Sequence, residues 1–179
     1  QVSAGRSVAE ACFQGARLQM QHLRDDTAIS DVVFLSQNNE LGLAFVEKCT
    51  QHMVGDSTSL SARESVLHTF VDKNMDNAEF GQEDRNIRIY ENSRRKKLAF
   101  YMGDARIKAT TLHSFKGWEG RHLILFVSRI SSDKDRALFY TALTRLKKHP
   151  NGSMLTVVSS CPELRDFGYR NFSPGYKEC

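Results

Sequence analysis

Apolar positions recur first at helical and then at strand intervals. Ala9, Cys12, Phe13, Ala16, Met20 and Leu23 line one side of a predicted helix, and Ser7 with Glu10 has the capping-box spacing at its start. Asp31 to Ser36 (DVVFLS) is a short β-rich run; Asn38 or Asn39 can cap a second helix carrying Leu41, Ala44, Phe45 and Cys49 on one side. From Val54 to Asn86 the chain turns polar, broken only by SVLHTFV, which predicts mostly loops and a short helix. Order returns with IRIY, and KLAFYM and ARIKATTL about Gly103-Asp104 predict a hairpin. LILFV (Leu123 to Val127) and MLTVV (Met154 to Val158) are continuous rather than alternating, the pattern of central parallel strands covered on both faces. Between them Ser132 and Asp133 start a helix bearing Ala137, Leu138, Leu143 and Leu146. Lys147, Lys148 and His149 suit its negative end before Pro150-Asn151-Gly152 stops it. Strand, helix, strand with buried strands predicts one layered α/β domain over residues 1–179, with 54–100 a loop-rich insertion.

Composition changes this picture little. With 40% hydrophobic and 26% charged residues and three prolines, the chain is neither collagen-like nor of disordered composition. Its longest apolar run, Leu123 to Val127, is too short for a membrane helix, and no signal peptide opens it, so a cytoplasmic protein without a membrane partner is expected. It begins at Gln1, and a piece of a longer protein is expected. A net charge of +4 is too mild to name a nucleic-acid partner. The run Arg94 to Lys97 reads first as a solvated face, with phosphate tracking as its alternative. Cys12, Cys49, Cys161 and Cys179 are scattered, and the histidines lack metal spacing, so no metal site is expected.

Chemistry concentrates in two segments. Thr110 to Gly120, TTLHSFKGWEG, gathers hydroxyls, an imidazole, an ammonium, a carboxylate and two glycines at a strand-to-turn junction. Ligands of open α/β sheets collect at such junctions, and glycine lets backbone approach a phosphate. FYTALTRLKK (Phe139 to Lys148) puts Arg145 in an otherwise apolar helix, where a guanidinium needs solvent or an anion. Trp118 can pack in a core or cleft, the favoured reading, or stack on a base.

The two segments together resemble motifs V and VI of the UvrD-like (UvrD/Rep/PcrA) superfamily 1 DNA helicases. Motif V, approximately T-x-H-x-x-K-G-x-E, is met by Thr111, His113, Lys116, Gly117 and Glu119. Motif VI, approximately Y-V-A-L-T-R-A, is met by Tyr140, Ala142, Leu143, Thr144 and Arg145. The resemblance implies a RecA-like α/β fold, a largely parallel sheet with helices on both faces, and the C-terminal motor lobe of an ATP-dependent helicase or translocase. By similarity Arg145 is the catalytic arginine finger. Lys116, Gly117 and Glu119 lie on the nucleotide side, while Thr111, His113 and Asn38 face single-stranded or partially duplex DNA. ATP and Mg²⁺ are then bound mainly by an N-terminal RecA-like lobe of the same protein. A helicase-like lobe serving as an inactive nucleic-acid-binding scaffold in a repair or nuclease complex is the alternative.

The pattern also departs from the family. No G-x-x-x-x-G-K-[ST] loop occurs, so this chain alone is not expected to hydrolyse ATP. Ser36-Gln37-Asn38 stands where relatives carry Arg-Thr-Asn, leaving Asn38 as the match. Gly5-Arg6-Ser7 only faintly resembles the Asn-Tyr-Arg-Ser element used near adenine, and the gap from His52 to Thr110 is too short for the large 2B insertion.

Overall fold

The short β-rich run Asp31 to Ser36 forms the middle of a wholly parallel sheet. The computed structural model describes residues 8–21, 28–55, 66–72, 82–101, 103–127 and 130–171. Its elements are α1 (Val8–Gln21), a 3₁₀ turn (Ile29–Asp31), β1 (Val32–Ser36), α2 (Asn39–Gly55), β2 (Val66–His68), α3 (Gln82–Ala99), β3 (Ile107–Thr111), β4 (His122–Val127), α4 (Asp133–Leu143), β5 (Met154–Ser159) and α5 (Pro162–Asn171). Five parallel strands lie in the order β2-β3-β1-β4-β5.

Alternation along β1 divides the core. Val32 and Phe34 join one cluster with Ala11, Cys12 and Ala16 of α1 and Phe45 and Cys49 of α2. Phe34 and Phe45 stack with ring centroids 3.8 Å apart. Val33 and Leu35 join the opposite cluster with Leu112, Phe115 and Ala142, against which Leu138 and Phe139 of α4 and Leu164 of α5 pack. The result is helices on both faces of the sheet, as the RecA-like expectation requires at the level of fold class. The chain leaves β1 toward one face through α2, but leaves its neighbours β3 and β4 toward the other. Adjacent strands with exits on opposite faces open a crevice at their carboxyl ends.

Four expectations are corrected. The hairpin about Gly103-Asp104 does not form: KLA ends α3, and β3 pairs in parallel with β1 and β2. The insertion holds more than loops and a short helix, because Val66–His68 is a strand of the sheet and Gln82–Ala99 a long helix. Residues 56–65 and 73–81 lie outside the described residues, as do Ser7 and Leu23. IRIY mimics strand alternation, yet Glu83 and Asp84 in the first turn and Lys96 and Lys97 in the last complement the helix dipole. MLTVV forms the edge strand β5, with Val157 38% exposed, rather than a central one. Finally, α4 stops at Leu143, so Arg145 and Leu146 lie just beyond the helix rather than within it. No helix among the described residues is long and apolar enough to cross a membrane.

Candidate functional site

At the carboxyl end of the sheet, backbone pairing aligns Ser36 with Thr111, and the Leu112 amide donates to the Ser36 carbonyl at 2.9 Å. The Ser36 hydroxyl donates to the Asn38 carbonyl at 2.7 Å and accepts from the Asn38 amide at 3.3 Å. Asn38 Oδ1 in turn accepts from the Leu41 amide at 2.8 Å, capping α2. Beside it Thr111 Oγ1 donates to Ser114 Oγ at 3.0 Å and accepts from the Ser114 amide at 3.2 Å. That turn carries His113 on its exposed side. Asn38, Thr111 and His113 therefore share one end of the sheet, around the crevice that the topology opens. The Ser36 and Ser114 hydroxyls belong to this group, although neither stands out from the sequence as a site residue. The Thr-x-x-Ser spacing of Thr111 and Ser114 is the signal that marks such a turn.

From Thr111 the chain descends across the sheet, anchored by buried Leu112 and Phe115. Lys116, Gly117, Trp118 and Glu119 remain exposed. Gly117 has φ +92°, and a Cβ there would meet nothing within 4 Å, so the open backbone is set by conformation rather than crowding. The Trp118 ring stands edge-on to Phe100, centroids 6.5 Å apart and planes at 83°.

The descent ends where the second segment begins its return. The Gly120 amide donates to the Arg145 carbonyl at 3.0 Å, and the Lys147 amide donates to the Gly120 carbonyl at 2.8 Å. These bonds form a parallel bridge between Gly120 and Leu146 at the amino end of β4. A Cβ on Gly120 would lie 2.7 Å from Leu123 Cδ2 and 3.0 Å from Val33 Cγ2, so a larger residue here would have to push these buried side chains aside. After α4 the hydrogen bonds tighten, with Arg145 N donating to the Ala142 carbonyl and Leu146 N to that of Leu143. Arg145 is half-buried; one of its terminal nitrogens donates to Thr144 Oγ1 at 3.3 Å, while its buried Nε has no acceptor among the described residues. A buried guanidinium donor without an acceptor costs free energy, which an acceptor reaching it would relieve.

The predicted residues therefore fall into two groups: Asn38, Thr111 and His113 at the carboxyl end, and Arg145 bonded to the end of the Lys116–Glu119 descent at the amino end. Elsewhere anions are already supplied. Asp135 Oδ2 accepts from the amides and hydroxyls of Ser131 and Ser132 at 2.8–3.2 Å. The Ser132 hydroxyl bond leads these in holding its carboxyl below the usual range and occupies the start of α4. Burial pushes the Cys12 and Cys49 thiols up to about 12, which suits packing rather than nucleophilic chemistry. Among the described residues no three His, Cys, Asp or Glu side chains converge to hold a metal ion. No protein-family model, curated protein or solved structure matches the chain.

Proposed function

We propose that the chain is the second RecA-like lobe of an ATP-driven DNA helicase or translocase of the UvrD-like superfamily 1, working in the cytoplasm. The observation that carries this reading is the hydrogen-bonded junction of the two motif segments, Gly120 against Arg145 and Lys147, with the Arg145 Nε lacking an acceptor among the described residues. In this reading Arg145 reaches a phosphate of a nucleotide held mainly by a preceding lobe, and Lys116, Gly117 and Glu119 border that nucleotide. Bound ATP with Mg²⁺ supplies the phosphoanhydride bond whose cleavage powers movement. Asn38, Thr111 and His113 contact the single strand at the crevice beside β1. A phosphate at Arg145 and a strand at Thr111 are then connected by one short peptide, Leu112 to Glu119. Leu112 and Phe115 anchor this peptide in the core, so a displacement at either end is passed on through their packing.

The test is Arg145→Lys in a polypeptide carrying both lobes. Lysine keeps the charge but loses the planar fork. DNA-stimulated ATP hydrolysis is expected to fall about 10³-fold, the lower range for arginine fingers, with melting temperature and single-strand affinity retained. A rate within about threefold of the parent overturns the finger role. If the unsubstituted two-lobe protein binds single strands but never hydrolyses ATP, the lobe is a scaffold instead.

A further inference from the structure

Helix α3 is absorbed by neither group of site residues. It contains six basic and three acidic residues, most of the chain's net charge of +4. At 100° per residue Ile89 and Lys96 share one face, which the structure turns inward: both are half-buried, and Lys96 Nζ donates to the Phe70 carbonyl at 2.6 Å. The opposite face carries Ile87, Tyr90, Glu91, Arg94 and Leu98, with Arg95 and Lys97 on its flanks and Glu83 and Asp84 in its first turn. Ile87 is 52%, Tyr90 68% and Leu98 77% exposed, and Tyr101 continues the stripe beyond the helix at 66%. Leu98 and Tyr90 present large apolar surfaces to water, flanked by Arg94, Arg95, Lys97 and Glu91. From Tyr90 to Leu98 three exposed cations, Arg94, Arg95 and Lys97, outnumber the single carboxylate of Glu91, and this basic end of the face calls for an anionic occupant. A duplex would offer only phosphates and groove edges, leaving this apolar stripe uncovered. Unpaired bases cover aromatic and aliphatic side chains while their phosphates meet arginine and lysine.

We infer that the outer face of α3 is a second binding surface for single-stranded nucleic acid, separate from the crevice beside β1. Tyr90, Leu98 and Ile87 receive bases, and Arg94, Arg95 and Lys97 receive phosphates. The inference stands on α3 alone and does not require the motor reading. Phe100, directly after the helix, packs against Trp118, so strand held on α3 lies next to the Leu112–Glu119 descent.

The experiment titrates the purified chain into fluorescein-labelled oligo-dT and follows anisotropy over a salt series. Arg94→Gln/Arg95→Gln/Lys97→Gln should weaken binding and flatten the salt dependence by up to about 2, near 0.7 for each phosphate no longer neutralised. Tyr90→Ser should weaken it roughly 5- to 100-fold at unchanged salt slope, and Tyr90→Phe should restore it. These positions are exposed, and thermal melting checks that the variants stay folded. Absence of any oligo-dT binding overturns the inference, as does unchanged affinity and slope in both variants. A triple variant that weakens single strand and duplex alike, with Tyr90→Ser silent, also overturns it in favour of a phosphate-only patch. Thr111→Ala/His113→Ala separates the two readings. Loss confined to that variant removes α3 and keeps the crevice, whereas loss confined to the α3 variants keeps α3 and removes the crevice assignment.

Discussion

The two ends of the sheet use polar groups in opposite ways. At the amino end the buried cations are consumed internally. Lys108, fully buried on β3, donates from Nζ to the carbonyls of Asp104 and Arg106, and Arg121 donates to the Gly152 carbonyl at 3.0 Å. Asp104 and Arg106 close the same edge at 2.7 Å, the Arg106 guanidinium holding the Asp104 carboxyl down at about 2. At the carboxyl end the groups are short and neutral: the buried Ser36 hydroxyl, the half-buried Thr111 and Ser114 hydroxyls and the exposed Asn38 amide. Burial makes a charge costly unless its donors are used up, so buried amino-end charges fasten strands, while the carboxyl end gathers neutral polar groups that shape turns and a helix cap. Arg145 is the exception at the amino end, because its Nε has no acceptor among the described residues.

Removing a fastening should therefore cost stability and leave binding alone. Lys108→Ala deletes a buried stem and two hydrogen bonds. It is expected to cost about 2–4 kcal/mol, lowering Tm by roughly 5–15 °C with oligo-dT affinity of the folded protein unchanged. Affinity that declines in step with stability would erase the distinction between the ends. A smaller effect is expected at the carboxyl end. Asn38→Ala removes the α2 cap and costs about 1 kcal/mol by urea titration, with Asn38→Ser recovering most of it. A silent Asn38→Ala would show that the exposed amide caps nothing in solution.

The smallest effect concerns pH at β2. Burial, with Lys96 nearby, pulls the His68 ring down to about 4 from 6.5. The folded ring thus binds its proton less tightly than the unfolded one. Stability present above pH 6.5 is lost as pH falls toward 4, by about 1 kcal/mol or less after allowing for partial exposure, or about 2 °C in Tm. His68→Gln should flatten that part of the Tm–pH curve; an equal slope in both proteins would exclude the ring as its source.

The layered fold is legible where one periodicity dominates. VVFLS and LILFV became buried strands, and Ser132 with Asp135 closed a full capping box. Segment α3 misleads because its apolar residues occupy two opposite faces, Ile89 inward and Ile87, Tyr90 and Leu98 outward, which dilutes helical periodicity and leaves I-R-I-Y looking like a strand. The candidate site residues are proposed from the spacing of TTLHSFKGWEG and FYTALTRLKK. Their joining through Gly120 is not, since a parallel bridge between residues far apart in sequence leaves no local pattern. Nor does sequence distinguish a helix that runs through Arg145 from one that stops at Leu143, when the tightened turn retains the same spacing of Leu143 and Leu146.

The edge-on packing of Phe100 and Trp118 has an optical consequence. Trp118 is the chain's sole tryptophan, so its indole emission comes from one place, between the last turn of α3 and the open backbone at Gly117. At 39% exposure the ring is half in solvent, where emission wavelength follows small changes in wetting. The molecule therefore carries an intrinsic gauge of whether α3 and the Thr111–Glu119 segment move together or apart, with no dye attached to either.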